Sequence, residues 1–199
     1  MTPHAYLVDD DDAIRDSLGW LLESRGVPCR SYPSAEDFLA AWEPTLAGCI
    51  LLDIRMDGMS GPELFDVLCE RGSTLPVIFL TGHGDVPMAV SALKQGAFDF
   101  VEKPCNDNEL VNRVIEALQL DEHQRLAASD AVSVSSLTSR LTTREKQVME
   151  LVLAGTLNKV IADELQISMR TVEVHRANLF EKMGVRTAVE LAQLLAGKR

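Results

Sequence analysis

The chain has 199 residues, 46% hydrophobic and 25% charged, with a net charge of −11. This leaves room for one large domain or two modest ones with real cores, in an ordinary soluble balance. No apolar run approaches the roughly 20 residues that cross a bilayer. The N-terminal "MTPHAYLVDD" has no basic region leading into an apolar stretch. Neither a membrane span nor a signal peptide is expected, and the chain reads as cytoplasmic. Cys29, Cys49, Cys69 and Cys105 form no CxxC pair, so they read as reduced, packed thiols rather than a disulfide frame or zinc site. Charge is uneven: residues 1–120 hold 8 Lys+Arg against 20 Asp+Glu, whereas residues 140–199 hold 10 against 7. An acidic front and a mildly basic back suggest different partners, with nucleic acid available only to the back.

Short apolar runs and amphipathic stretches alternate over the first 120 residues. Strands are expected at Ala5–Val8, Val27–Tyr32, Cys49–Leu52, Val77–Leu80 and Phe98–Glu102. The helices between them carry end signals. Gly26 stops the first, Ser34 with Asp37 opens the second, and Gly61-Pro62 and Gly72 bound the third. Pro87 and Gly96 bracket the fourth, and Asn106 or Asp107 caps a fifth. Five βα units imply a parallel sheet in the flavodoxin-like order 2-1-3-4-5, helices on both faces, with the functional crevice at the strands' carboxyl ends. Residues 121–136, "DEHQRLAASDAVSVSS", read as a helix tail fading into a flexible linker. Residues 137–199 read as four short helices, with capping boxes at Thr142/Glu145 and Thr187/Glu190 and a cap at Ser168.

The strand ends carry the chemistry. "AYLVDDDD" ends the first strand in Asp9 and Asp10, "CILLD" ends the third in Asp53, "VIFLT" the fourth in Thr81, and "FDFVEKP" the fifth in Lys103. Strands one and three flank the switch point, so the three carboxylates should converge. Such a set suits Mg²⁺ (or Mn²⁺), which keeps open positions for phosphate oxygens. Asp53 can then attack a phosphoryl group, with the cation and Lys103 offsetting the moving charge. Thr81 can donate to the new phosphoryl oxygens, and Phe100 can swing in behind it, which makes the pair a switch. Asp11 or Asp12 reads as a cap of the first helix, and His83 as a loop residue.

These residues make the front of the chain resemble a response-regulator receiver domain, CheY-like in fold. The resemblance implies Asp53 as the aspartyl-phosphate acceptor, and a cation held by Asp10, Asp53 and the backbone carbonyl of Arg55. It also implies a cis bond at Lys103-Pro104. Met56-Asp57-Gly58 departs from the usual Met-Pro-Gly, and Cys105 stands where Phe is frequent.

From Asn158 to Met183 two helices meet at the tight turn "ELQIS", the form of a helix-turn-helix whose second helix enters the major groove. Val172, Leu179 and Met183 should face inward, with His175 half-buried and Glu173, Val174 and Ala177 outward toward base edges. Lys159, Arg170, Thr171, Arg176 and Lys182 are candidate phosphate contacts. The stretch "LTTREKQVMELVLAGTLNKVIADELQISMRTVEVHRANLFEKMGV" resembles LuxR-type DNA-binding domains, and the two resemblances in this order match regulators of the FixJ/NarL class. The class implies a cognate sensor histidine kinase, dimerisation on phosphorylation, promoter DNA and RNA polymerase as partners, and no turnover beyond slow autodephosphorylation. Residues 72–90, "GSTLPVIFLTGHGDVPMAV", are similar to regulators of tetrathionate or thiosulfate respiration. Two alternatives stand beside this: a DNA-binding regulator indifferent to phosphorylation, and a haloacid-dehalogenase-type phosphohydrolase using Asp9 and Asp11. The latter wants Thr or Val where Ala13 sits.

Overall fold

The computed structural model describes residues 2–82 and 86–197; His83 lies outside the described residues. The chain divides into two compact units, residues 1–124 and 125–199.

In the first unit, β1 (His4–Val8), β2 (Cys29–Tyr32), β3 (Gly48–Asp53), β4 (Val77–Thr81) and β5 (Asp99–Glu102) form an all-parallel sheet of order β2-β1-β3-β4-β5. This is the order expected from five βα units. Both faces are buried, so alternate residues of one strand feed two cores. Tyr6, Val8, Ile50, Leu52 and Phe79 pack on one side; Ala5, Leu7, Cys49, Leu51, Ile78 and Leu80 pack on the other. Register fixes the site: Val8 lies opposite Leu52, and Asp53 opposite Leu80. The residues just beyond β1, at the end of β3 and at the end of β4 therefore come level at one edge.

The helices are α1 (Asp12–Ser24), α2 (Ala35–Ala41), α3 (Gly61–Glu70), α4 (Val86–Lys94) and α5 (Asp107–Ser139). Asp11 caps α1, accepting from Ala13 N–H at 2.8 Å. Ser34 caps α2 by accepting from Asp37 N–H at 3.0 Å. α3 can begin only where it does because residue 61 is glycine: a Cβ there would lie 2.1 Å from the Asp53 carbonyl oxygen.

The stretch read as a helix tail fading into a flexible linker stays helical to its end, since α5 runs to Ser139. The hydrophobic rhythm does fade, but hydroxyls in the last turn of α5 find partners on the helix itself. Thr138 Oγ1 donates to the Val134 carbonyl at 3.0 Å, and Ser139 Oγ to that of Ser136 at 2.7 Å. Ala and Leu add good helix propensity.

The second unit packs α6 (Thr143–Leu153), α7 (Asn158–Leu165), α8 (Met169–Met183) and α9 (Ala188–Leu195) around Val148, Val152, Ile161, Val172, Leu179 and Leu191. Gln166 turns the chain between α7 and α8 in the left-handed region, at φ 53°. Ser168 then caps α8, accepting from Thr171 N–H at 3.1 Å.

Candidate functional site

At the carboxyl edge of the sheet, one oxygen from each of Asp9, Asp10 and Asp53 lies within 4.8 Å of the others. Asp9 is fully buried, Asp53 nearly so, and Asp10 is exposed. Lys103 Nζ lies 2.7 Å from Asp9 Oδ2 and 2.7 Å from Asp53 Oδ1, a bridge between the two buried acids. Its main-chain N–H donates to the Thr81 carbonyl at 2.7 Å, which ties β5's exit to β4's end. The Lys103-Pro104 bond is cis, as the receiver resemblance implies.

The electrostatics follow from this packing. Burial pushes the Asp53 carboxyl up; Lys103 pulls it back, Asp9 and Asp10 push it up again, and the net shift is upward. Burial works against the Lys103 charge, but its bonds to Asp53 and Asp9 outweigh that and hold its pKa above the usual value. The site is short of positive charge at the carboxylates and oxygen-rich, the donor set a hard divalent cation takes.

Two further features fit an incoming anion beside that cation. Thr81 is fully buried at the end of β4, and its Oγ1 has no hydrogen-bond partner among the described residues. Buried hydroxyls are seldom left so, which marks it as a donor in waiting. Phe100 on β5 is half-buried and packs against the core that holds Phe79. Arg55, expected to offer a carbonyl, is an exposed residue of the loop after β3.

Asp9 was expected as a metal ligand on the same footing as the other two. Its carboxylate is already engaged: Oδ1 accepts from Asp11 N–H at 3.0 Å and Oδ2 from Lys103. That makes Asp10 and Asp53 the more available oxygens, with Asp9 steering the lysine. Sequence reasoning singled out Asp57 as a departure from Met-Pro-Gly but missed three contacts. Asp57 N–H donates to Asp10 Oδ2 at 3.0 Å, Glu36 accepts from Met59 N–H at 3.2 Å, and Arg15 Nη1 donates to the Asp9 carbonyl at 2.6 Å. Only Arg15 carried a signal, its position three residues after Asp12 on one helix face.

On α8, Val172, Leu179 and Met183 are buried and His175 is half-buried. Arg170, Glu173, Val174 and Ala177 are exposed, as is Lys159 on α7. Val174, 52% exposed, leaves an apolar side chain outward on that face of α8. Three candidates have internal work. Thr171 Oγ1 meets Ser168 Oγ at 2.7 Å, and Arg176 donates to Asn158 Oδ1 at 3.0 Å while lying over Phe180. The third is Lys182, whose ammonium gives bonds of 2.8 and 2.7 Å to the two oxygens of Glu145, a buried residue of α6, and so ties α8 to α6.

Residues 5–115 match the response regulator receiver domain, and residues 139–195 match the luxR family of bacterial regulatory proteins. The chain belongs to the two-component response regulators that join a receiver to a LuxR-type DNA-binding domain, the FixJ/NarL class. Among its relatives, the C4-dicarboxylate transport transcriptional regulatory protein DctR of Rhodobacter capsulatus is 49% identical over 191 residues, covering 95% of this chain and 97% of that one. The transcriptional regulatory protein FixJ of Bradyrhizobium diazoefficiens is 42% identical, covering 96% and 93%. Among solved structures, the response regulator StyR aligns with a TM-score of 0.88 at 40% identity over 98% of this chain and 99% of that chain. Full-length FixJ from B. japonicum aligns with a TM-score of 0.63 at 41% identity over 99% and 97%. No helix among the described residues is long and apolar enough to cross a membrane.

Proposed function

We propose that the chain takes a phosphoryl group from a sensor histidine kinase onto Asp53 and, so modified, pairs with a second copy to bind promoter DNA. One observation carries this: a lysine bridges two buried aspartates, near a buried threonine hydroxyl that has no partner among the described residues. Lys103 holds Asp53 Oδ1, leaving Oδ2 as the nucleophile. As the new O–P bond forms, the bond from phosphorus to the donor histidine's nitrogen breaks, and the electron pair leaves with that nitrogen. Asp10, Asp53 and the Arg55 carbonyl would hold Mg²⁺ (or Mn²⁺), which would supply charge neutralisation for the transfer. Thr81 then donates to a phosphoryl oxygen, and Phe100 follows it inward.

The receiver is in this reading an acceptor with slow autodephosphorylation rather than a turnover enzyme. The hydrolase alternative is disfavoured by Asp11, whose Oδ1 is committed to capping α1 instead of facing a leaving group. Cytoplasmic location and engagement of RNA polymerase belong to the same reading, which rests on the family. Gel filtration of wild type and Asp53→Asn, each with and without phosphodonor and Mg²⁺, tests the dimer. Only phosphodonor-treated wild type should elute early; identical elution of all four samples favours the phosphorylation-independent regulator.

The regulated process is tetrathionate or thiosulfate respiration, supported by the likeness of residues 72–90 alone. DctR's name makes dicarboxylate transport the second process to score. Transcript profiling of wild-type and Asp53→Asn strains tests both, and unchanged tetrathionate and thiosulfate genes remove the first.

A further inference from the structure

Arg15 has no part in the chemistry above, yet its side chain is only 12% exposed and its guanidinium lies against the acid site. One arm, Nη1, donates to the Asp9 backbone carbonyl at 2.6 Å, and the other, Nη2, pairs with Asp12. The carbonyl it grips is that of the Asp9–Asp10 peptide. A peptide is planar, so fixing this oxygen fixes the plane and limits the directions the Asp10 side chain can take. From the other side, the Asp57 N–H holds Asp10 Oδ2. The exposed carboxylate of the cluster is thus aimed from two sides, by an arginine of α1 and by the loop that follows Asp53.

We propose that Arg15 is a positioning residue of the cation site: by clamping the Asp9–Asp10 peptide it aims the Asp10 carboxylate at Asp53. The inference rests on the proposed acceptor function and assigns a new residue to its metal-holding half. Two effects of the arginine oppose each other. Its positive charge repels a divalent cation, so charge alone would make its removal tighten binding. Its clamp pre-orders a ligand, so geometry would make its removal weaken binding. The clamp needs two acceptors met at once by a rigid fork, which lysine's single ammonium cannot reproduce. Lysine therefore separates the roles, keeping the charge and losing the fork.

Isothermal titration of Mg²⁺ into the full chain, with no phosphodonor present, reads this directly. The expected result is a Kd for Arg15→Lys several-fold weaker than wild type, and for Arg15→Ala weaker by about tenfold, the worth of a charge-assisted hydrogen bond. Amide exchange at Asp11, whose N–H is held by Asp9 Oδ1, should quicken in both variants while the thermal midpoint of Arg15→Lys stays near wild type. Wild-type affinity in Arg15→Lys, or tighter binding in Arg15→Ala, overturns the proposal. If Arg15→Ala does not fold, the lysine variant decides. A wild-type chain that takes up no Mg²⁺ overturns the reading of the acid site, and this inference with it, and is told apart by the wild-type titration alone.

Discussion

Thr81 shows how a single residue can be shaped by a state other than the resting one. A fully buried hydroxyl without a partner costs stability, and Thr81 Oγ1 meets none among the described residues. Replacing Thr81 by Val keeps the volume and removes the orphan. Thermal unfolding should therefore show the Thr81→Val chain more stable by about 1 kcal/mol, while phosphodonor no longer raises its DNA affinity. A loss of stability instead would mean that the hydroxyl is satisfied at rest. Lys103 makes the complementary case: it is bonded to Asp9 and Asp53 at rest, and the proposed function gives it a part in the chemistry as well. The sequence already pointed to Asp9, Asp10, Asp53, Thr81 and Lys103, because strand ends in a parallel sheet must share one edge. Glu36 and the Asp57 N–H were not legible, since each bond has a main-chain partner that leaves no residue-type signature; Arg15 showed only its spacing from Asp12.

Elements were legible where their ends carry chemistry. The capping box at Thr142 is present, with Thr142 N–H donating to Glu145 at 2.7 Å. The box does more than cap, because the same carboxylate anchors Lys182 of α8. Burial works against the Glu145 charge, but the Lys182 and Thr142 hydrogen bonds outweigh it and hold its carboxyl below the usual 4.5. A depressed carboxylate stabilises the fold above its unfolded-chain pKa, and that contribution is lost as pH falls through the folded value. Glu145→Gln should accordingly be less stable at neutral pH and show a flatter decline in acid; equal slopes in circular-dichroism titrations would contradict the pairing. Lys182→Ala, which strands the buried acid, should cost about 1–3 kcal/mol. Its DNA affinity, measured where both chains are folded, should match wild type. The tail of α5 was illegible for the opposite reason. Helix there is held by local propensity and hydroxyl-to-carbonyl bonds rather than by a buried stripe, so hydrophobic period gave no sign of it.

At the scale of the whole molecule the charge division is the informative quantity. A domain of residues 140–199 with 10 basic and 7 acidic side chains offers modest attraction for DNA, which is why the proposed function places two copies on half-sites one helical turn apart. On the proposed function the unphosphorylated acidic receiver would oppose that attraction, by like charge with phosphate. The fragment from residue 137 onward should bind promoter DNA more tightly than the unphosphorylated full chain, and the difference should shrink as salt rises. Equal or weaker binding by the fragment removes the receiver's inhibitory part. All of this depends on Asp53 accepting a phosphoryl group, which mass spectrometry of the chain treated with acetyl phosphate and Mg²⁺ measures most directly. One added phosphoryl group on Asp53, absent with a chelator and in Asp53→Asn, is the predicted result. An unmodified Asp53 with both metal and donor supplied would contradict it.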